Sequence, residues 1–231
     1  MRPEEASWIG RILASSDLTG RTVMNVGSST GRFREVTQPH IEREIFAPLM
    51  ARGVRVIHAD MKAAEGVDLV GDLLDPAFRR QVVAIGPDVV LANNLFEHVR
   101  DRQVLADCLA DLPGEHGRLI VSVPRAYPYH ADPIDTLYRP TPKEIGEMFP
   151  GFTLEDQAVV ESTTLWQDLN RQVGRAGAIM DVLWRVARLA VPFIRPRAWL
   201  GTASGLMWMW RPRSVSIASL RRRSGADGAA R

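Results

Sequence analysis

The stretch PRAYPYHADPIDTLYRPTP (124–142) crowds Tyr127, Tyr129, His130, Asp132, Asp135, Tyr138 and Arg139 among prolines. A histidine with an acid beside it can take a proton from a hydroxyl, because an unperturbed imidazole titrates near neutral pH. His130 is the candidate base, with Asp132 or Asp135 orienting it. A second histidine, His98, sits in NNLFEHV and either shares this chemistry or packs to hold its loop. The plainer reading of 124–142 is a proline-stiffened loop with polar residues in water. No metal is expected, because the histidine and acids lie close together in one loop without a second ligand cluster. The single cysteine, Cys108, excludes a Cys-based zinc site and a disulfide framework.

Other polar residues recur at the ends of apolar runs. Gly27-Ser28-Ser29-Thr30-Gly31 follows TVMNVG (22–27), Asp60 follows VRVIHA (54–59), and Asp72 follows VDLVG (67–71). Asn93 ends DVVLAN (88–93) and Asn94 follows it, and GRLIVSVP (117–124) is a fifth run. These near-continuous Val/Ile/Leu segments suit strands covered on both faces. Helices fit between them at 41–53, 76–85, 102–112 and from 141. Asp75 before Pro76 reads as an N-cap, and Thr141 with Glu144 as a capping box. The alternation predicts an α/β fold: a Rossmann-like doubly wound sheet, mostly parallel, with helices on both faces. A sixth strand at 153–162 and a final antiparallel strand at 213–223 complete it, with a helical C-terminal elaboration. Ligands of such sheets bind beyond the carboxyl ends of the strands, where these polar residues fall.

The loop after the first run is not a dinucleotide fingerprint. Ser29 stands at the second glycine position and Phe33 at the third, and the next helix is expected only near Ile41, after Pro39. These points argue against an NAD-linked enzyme. A phosphate-free cofactor with a ribose and an amino acid moiety needs a close-approach glycine, backbone polar groups and an acid for two hydroxyls. Over 18–162 the chain resembles class I SAM-dependent methyltransferases with a type 11-like domain, in VMNVGSSTGRF, VIHAD, VDLVGDLLD, DVVLANNLFEHVRD and LPGEHGRLIVSVP. The resemblance implies S-adenosylmethionine (SAM) as cofactor. It places Asn25, Gly27, Ser28, Ser29, Gly31 and Arg32 of the first motif at the cofactor, with Asp60 on the ribose and Met61 beside it. Asp72 and the Leu73 amide fall near the adenine, and Asn93 at the end of the fourth run. Asn25 replaces the usual acid but can still accept a hydrogen bond. Ser29 replaces a glycine, at a cost of about 1 kcal/mol if its φ is positive. The alternative is a tight turn that binds nothing. Similar H-x-D-P segments occur in family members that act on saccharides, so O-methylation of a sugar, glycan or lipid-linked saccharide is expected. The alternative function is a non-catalytic SAM-fold protein acting through its basic C-terminal helix.

The chain divides into an N-terminal helix (1–17), the SAM-binding core (18–162), a basic helical insertion or lid (163–212), the final strand (213–223) and a disordered tail (224–231). The net charge of +2 hides an asymmetry: residues 1–170 carry 17 Lys+Arg against 25 Asp+Glu, and 171–231 carry 12 against 2. In 171–191, Arg171, Arg175, Asp181, Arg185 and Arg188 share one side of a helix; Val173, Met180, Leu183 and Trp184 fall largely opposite. That helix is expected to lie over the domain, either with a solvated arginine face or contacting an anionic membrane or lipid-linked substrate through 171–212. No nucleic-acid module is visible. No signal peptide or membrane-spanning run is present either, so a cytoplasmic protein, peripheral at the inner face of the membrane, is expected.

Overall fold

The computed structural model describes residues 1–130, 134–189 and 196–223. Seven strands form one sheet: β1 (Thr22–Val26), β2 (Arg55–Asp60), β3 (Leu69–Val70), β4 (Val89–Asn93), β5 (Arg118–Ala126), β6 (Phe152–Ser162) and β7 (Arg213–Arg222). Their order is β3-β2-β1-β4-β5-β7-β6. The first five are parallel, and β7 runs antiparallel between β5 and β6. The chain steps outward from β1 to β3 and then crosses to β4, so the switch in direction lies between β1 and β4, where such sheets bind ligands.

Both faces are covered, which explains the unbroken apolar runs. Met24, Val26, Val90 and Val121 pack on one side with Phe96, Leu109 and Phe149. Val23, Leu91 and Ile120 pack on the other with Ile9, Leu13 and Phe46. The helices are α1 (Pro3–Ala14), α2 (Pro39–Ile41), α3 (Ala47–Ala51), α4 (Pro76–Ile85), α5 (Arg102–Asp111), α6 (Pro142–Glu147), α7 (Leu165–Leu189) and α8 (Pro196–Met207). The expected caps form: Asp75 accepts from the Ala77 amide at 3.0 Å, and Thr141 and Glu144 cap each other.

Four expectations are corrected. Helical backbone begins at Gly31, not near Ile41, and passes through π-helical turns at Phe33–Thr37 and Glu42–Phe46 on either side of α2. The delayed helix therefore does not argue against a dinucleotide; the missing glycines still do. The strand expected over 67–71 shrinks to two residues, because only Ala59 and Asp60 of β2 pair with it. Alpha-helix α7 is broken at Gly174 (φ 72°). Its apolar residues Val173, Met180, Leu183 and Trp184 are exposed, and among its described residues only Ala178 is buried. Arg2 and Arg213 converge on Asp168 at 3.0 and 2.8 Å and anchor only the first turn of α7. The tail 224–231 lies outside the described residues.

Candidate active site

A cavity of about 500 Å³ opens at the carboxyl ends of β1, β2, β4 and β5. Its volume is in the range of small-molecule sites. Asn25, Ser28, Ser29, Asp60, Asn93, His98 and His130 all line it, from four separate stretches of chain. None of the described residues of 163–212 contributes; the start of the chain and α1 close that side instead, with Met1, Arg2 and Glu5.

The loop after β1 is shaped by its own backbone and by one arginine. Gly27 (φ 68°) and Ser28 both donate to the Ala59 carbonyl, at 2.9 and 3.1 Å. Ser29 adopts φ 55°, the left-handed conformation in which a glycine is usual. Its amide donates to Asp60 Oδ2 at 2.8 Å, and the Lys62 amide donates to Oδ1 at 2.9 Å. Arg34, buried in the first π-helical turn, donates to the carbonyls of Ser28, Ser29 and Gly66. Gly31 serves packing: a Cβ there would meet the Glu65 carbonyl oxygen and Gly66 Cα at 3.3 Å.

Asn25 is buried, and its Nδ2 lies 3.2 Å from His58 Nδ1. Burial, helped by the Arg34 charge and opposed by Asp68, pushes His58 down to about 4, so the imidazole is neutral and can accept that amide. The amide oxygen of Asn25 is then the end left for the cavity. Deeper in, the buried Glu5 carboxylate accepts from Ser122 Oγ at 2.6 Å, Asn94 Nδ2 at 2.8 Å and the Arg2 amide at 3.1 Å. Beside it, Asn93 Nδ2 is buried with no partner among the described residues.

At the other end His98 and His130 meet edge to face, with ring centroids 5.3 Å apart. Glu97, in the 3-10 turn Phe96–His98, is fully buried there, and burial pushes its carboxyl up to about 8. Asp135 approaches His130 Nδ1 at 3.3 Å but not in hydrogen-bonding geometry. Its oxygens are committed to Arg139 (2.6 and 3.1 Å) and to the amides of His130 and Leu137. Against the cost of burial, these donors hold Asp135 down to about 2. The expected hydrogen-bonded His130–Asp135 pair is thus replaced by an Asp135–Arg139 ion pair that braces the loop. Asp132 lies outside the described residues.

Arg32, Met61, Asp72 and Leu73 stand outside the cavity wall. Arg32 and Met61 are exposed. Asp72 caps the turn after the short β3 by accepting from the Leu74 amide at 2.9 Å, and Leu73 packs in the core. Glu5, Arg34 and Glu97 also line the cavity, although the sequence motifs do not mark them. Glu97 stood inside the quoted NNLFEHV, where a carboxylate in an apolar setting was the available signal. The ground for expecting no metal, one isolated loop, also falls, because the fold brings Glu97 and His98 against His130.

This sheet order with its antiparallel seventh strand is the class I SAM-dependent methyltransferase fold. No family model matches the sequence, and no curated protein does. Solved structures do. Coclaurine N-methyltransferase bound to N-methylheliamine and SAH superposes at TM-score 0.56 and 14% identity, over 95% of this chain and 72% of that one. Burkholderia thailandensis 1,6-didemethyltoxoflavin-N1-methyltransferase, with 1,6-didemethyltoxoflavin and S-adenosylhomocysteine bound, gives 0.51 and 14%, over 96% and 78%. A SAM-dependent methyltransferase from Archaeoglobus fulgidus gives 0.51 and 14%, over 96% and 95%. At such identities the likeness is one of fold.

Proposed function

We propose that the chain binds SAM in this cavity and transfers its methyl group to an oxygen of a saccharide-type acceptor carried on a lipid. The observation that carries the reading is the convergence of Asn25, Asp60 and Asn93 at three adjacent strand ends around one cavity. The donor groups fit. Asp60 has one backbone donor on each carboxylate oxygen and keeps lone pairs for two ribose hydroxyls. The unpartnered Asn93 Nδ2 suits a carboxylate or carbonyl oxygen, and the Asn25 amide oxygen suits an ammonium.

Bound SAM supplies an electrophilic methyl on a sulfonium. The chain has to align the acceptor oxygen with it and exclude water. Transfer to the acceptor oxygen would release S-adenosylhomocysteine and the hydroxyl proton, so the acceptor end of the cavity would also have to take or pass on that proton. His98 and His130 are the imidazoles at the end of the cavity where that oxygen would sit. Support for a lipid-borne acceptor comes from α7, whose exposed Leu183, Trp184 and Met180 stand with exposed Arg171, Arg175 and Arg188. Among the described residues no helix is long and apolar enough to cross a membrane. The exposed α7 face supports placing the chain at the cytoplasmic membrane face as a peripheral protein.

Calorimetric titration of the full chain with SAM and S-adenosylhomocysteine tests the reading. One saturable site for each is expected; no heat and no thermal shift with either would overturn it.

A further inference from the structure

We propose that Glu97, His98 and His130 bind one divalent first-row transition-metal cation at the acceptor end of the cavity. One oxygen of Glu97 and one ring nitrogen of each histidine lie within 4.8 Å of one another. A modest closure brings them to the spacing of ligands around a shared ion.

The polar groups of this cluster do not satisfy each other without a cation. The Glu97 side chain is 0% exposed, and neither of its oxygens has a hydrogen-bond partner among the described residues. A carboxylate so placed is costly unless a positive charge meets it. His98 Nδ1 lies 2.5 Å from the Ile134 carbonyl, so its proton is donated there and Nε2 is left with a lone pair. That lone pair faces Glu97 Oε1 at 3.7 Å, beyond hydrogen-bond reach, so the two groups do not satisfy each other. A cation between them would take a bond from each. The Nδ1–H to carbonyl bond is also the outer support that metal-bound imidazoles have. His130 arrives from another segment, with its Nδ1 unpartnered because Asp135 is committed to Arg139.

Two imidazoles and one carboxylate suit Zn²⁺, Co²⁺, Fe²⁺ or Ni²⁺ rather than Mg²⁺ or Ca²⁺, which prefer oxygen ligands. Three protein ligands leave coordination positions open, and all three residues line the cavity. Those positions suit the neighbouring hydroxyls of a saccharide. A coordinated hydroxyl loses its proton to solvent more readily, which prepares the oxygen for methyl transfer. This role rests on the methyl-transfer reading; the metal site does not.

The test uses the full-length, untagged chain, stripped with EDTA and titrated with CoCl2 and with ZnCl2 by calorimetry, with the visible spectrum of bound Co²⁺ as a second readout. One equivalent with ligand-field bands is expected. Glu97→Gln, His98→Gln and His130→Gln should each weaken binding at least tenfold, while His116→Gln, at an exposed histidine, should not. Glu97→Gln is nearly isosteric and His130 is partly exposed, and thermal melts check that each variant folds. Absence of stoichiometric binding to the native chain, or binding unchanged in all three variants, would overturn the proposal. Co²⁺ binding without SAM binding would leave the metal site standing and remove the methyltransferase reading; SAM binding without Co²⁺ binding would do the reverse.

Discussion

The Ser29 amide donates to the Asp60 carboxylate at 2.8 Å, which joins the loop after β1 to the acid at the end of β2. The same carboxylate is the group we assign to the ribose. Asp60→Ala should weaken SAM binding roughly tenfold to a hundredfold, from about 1.5–3 kcal/mol of lost hydrogen bonding to a charged acceptor. Calorimetric affinity with a far-UV spectrum as a folding check measures this. Native affinity in a folded Asp60→Ala protein would remove Asp60 from the cofactor site.

His58 ties acidity to the same loop through Asn25, at 3.2 Å. Its folded pKa of about 4 lies below the ordinary imidazole value of 6.5. Above pH 6.5 neither state carries the proton, and the stabilisation is complete. As pH falls from 6.5 towards 4 the unfolded chain takes up the proton and the folded chain does not, so stability is lost across that window. The loss attributable to His58 should reach about 2–3 kcal/mol. Urea unfolding from pH 7.5 to 4.5, native minus His58→Gln, isolates it; parallel curves would show that His58 does not couple folding to pH.

Much of this architecture was legible because it follows from local rules. The strands read as apolar runs since both sheet faces are covered, and Asp75, Thr141 and Glu144 cap where their types and spacing put them. The acid Asp60 was legible for the same reason, at the end of a run. What escaped depends on contacts distant in sequence. The early helix and its π turns accompany Arg34 reaching back to the carbonyls of Ser28, Ser29 and Gly66, a tertiary demand that hydrophobic periodicity does not carry. Glu5 bonds Asn94 and Ser122 across the fold, and a Glu in the first turn of an amphipathic helix looks solvated until that helix is docked. The apolar positions of α7 were legible as a stripe, but a stripe does not say what covers it.

Glu5 is the pin of the α1 wall. Its carboxylate satisfies Asn94 Nδ2, Ser122 Oγ and the Arg2 amide, with 1% of the residue exposed. Glu5→Ala leaves the Asn94 and Arg2 donors without their acceptor, while Ser122 Oγ keeps Asn93 Oδ1 at 3.0 Å, and should destabilise the chain by about 2–4 kcal/mol. Glu5→Gln keeps an acceptor oxygen and should recover part of that loss. Because α1 lines the cavity, cofactor release should also be faster in either variant, measured by stopped-flow displacement of S-adenosylhomocysteine. A melting temperature unchanged in Glu5→Ala would show that α1 is not held by this network.

Between β6 and β7 the chain presents apolar and cationic side chains to solvent together. Met180, Leu183 and Trp184 are all more than half exposed on α7, with Arg171, Arg175 and Arg188 exposed along it. Aromatic and aliphatic side chains favour the membrane interface, and each arginine near an anionic surface contributes about 1 kcal/mol. Replacing all three arginines with glutamine should therefore lower partitioning onto phosphatidylglycerol vesicles by roughly two orders of magnitude. Co-sedimentation measures that partitioning, and a blue shift of tryptophan emission lost in Trp184→Ala reports insertion. High salt should release the native chain, since the attraction acts over about a Debye length. Equal sedimentation with phosphatidylcholine vesicles would remove the anionic surface from the reading, and none with either lipid would remove the membrane from it.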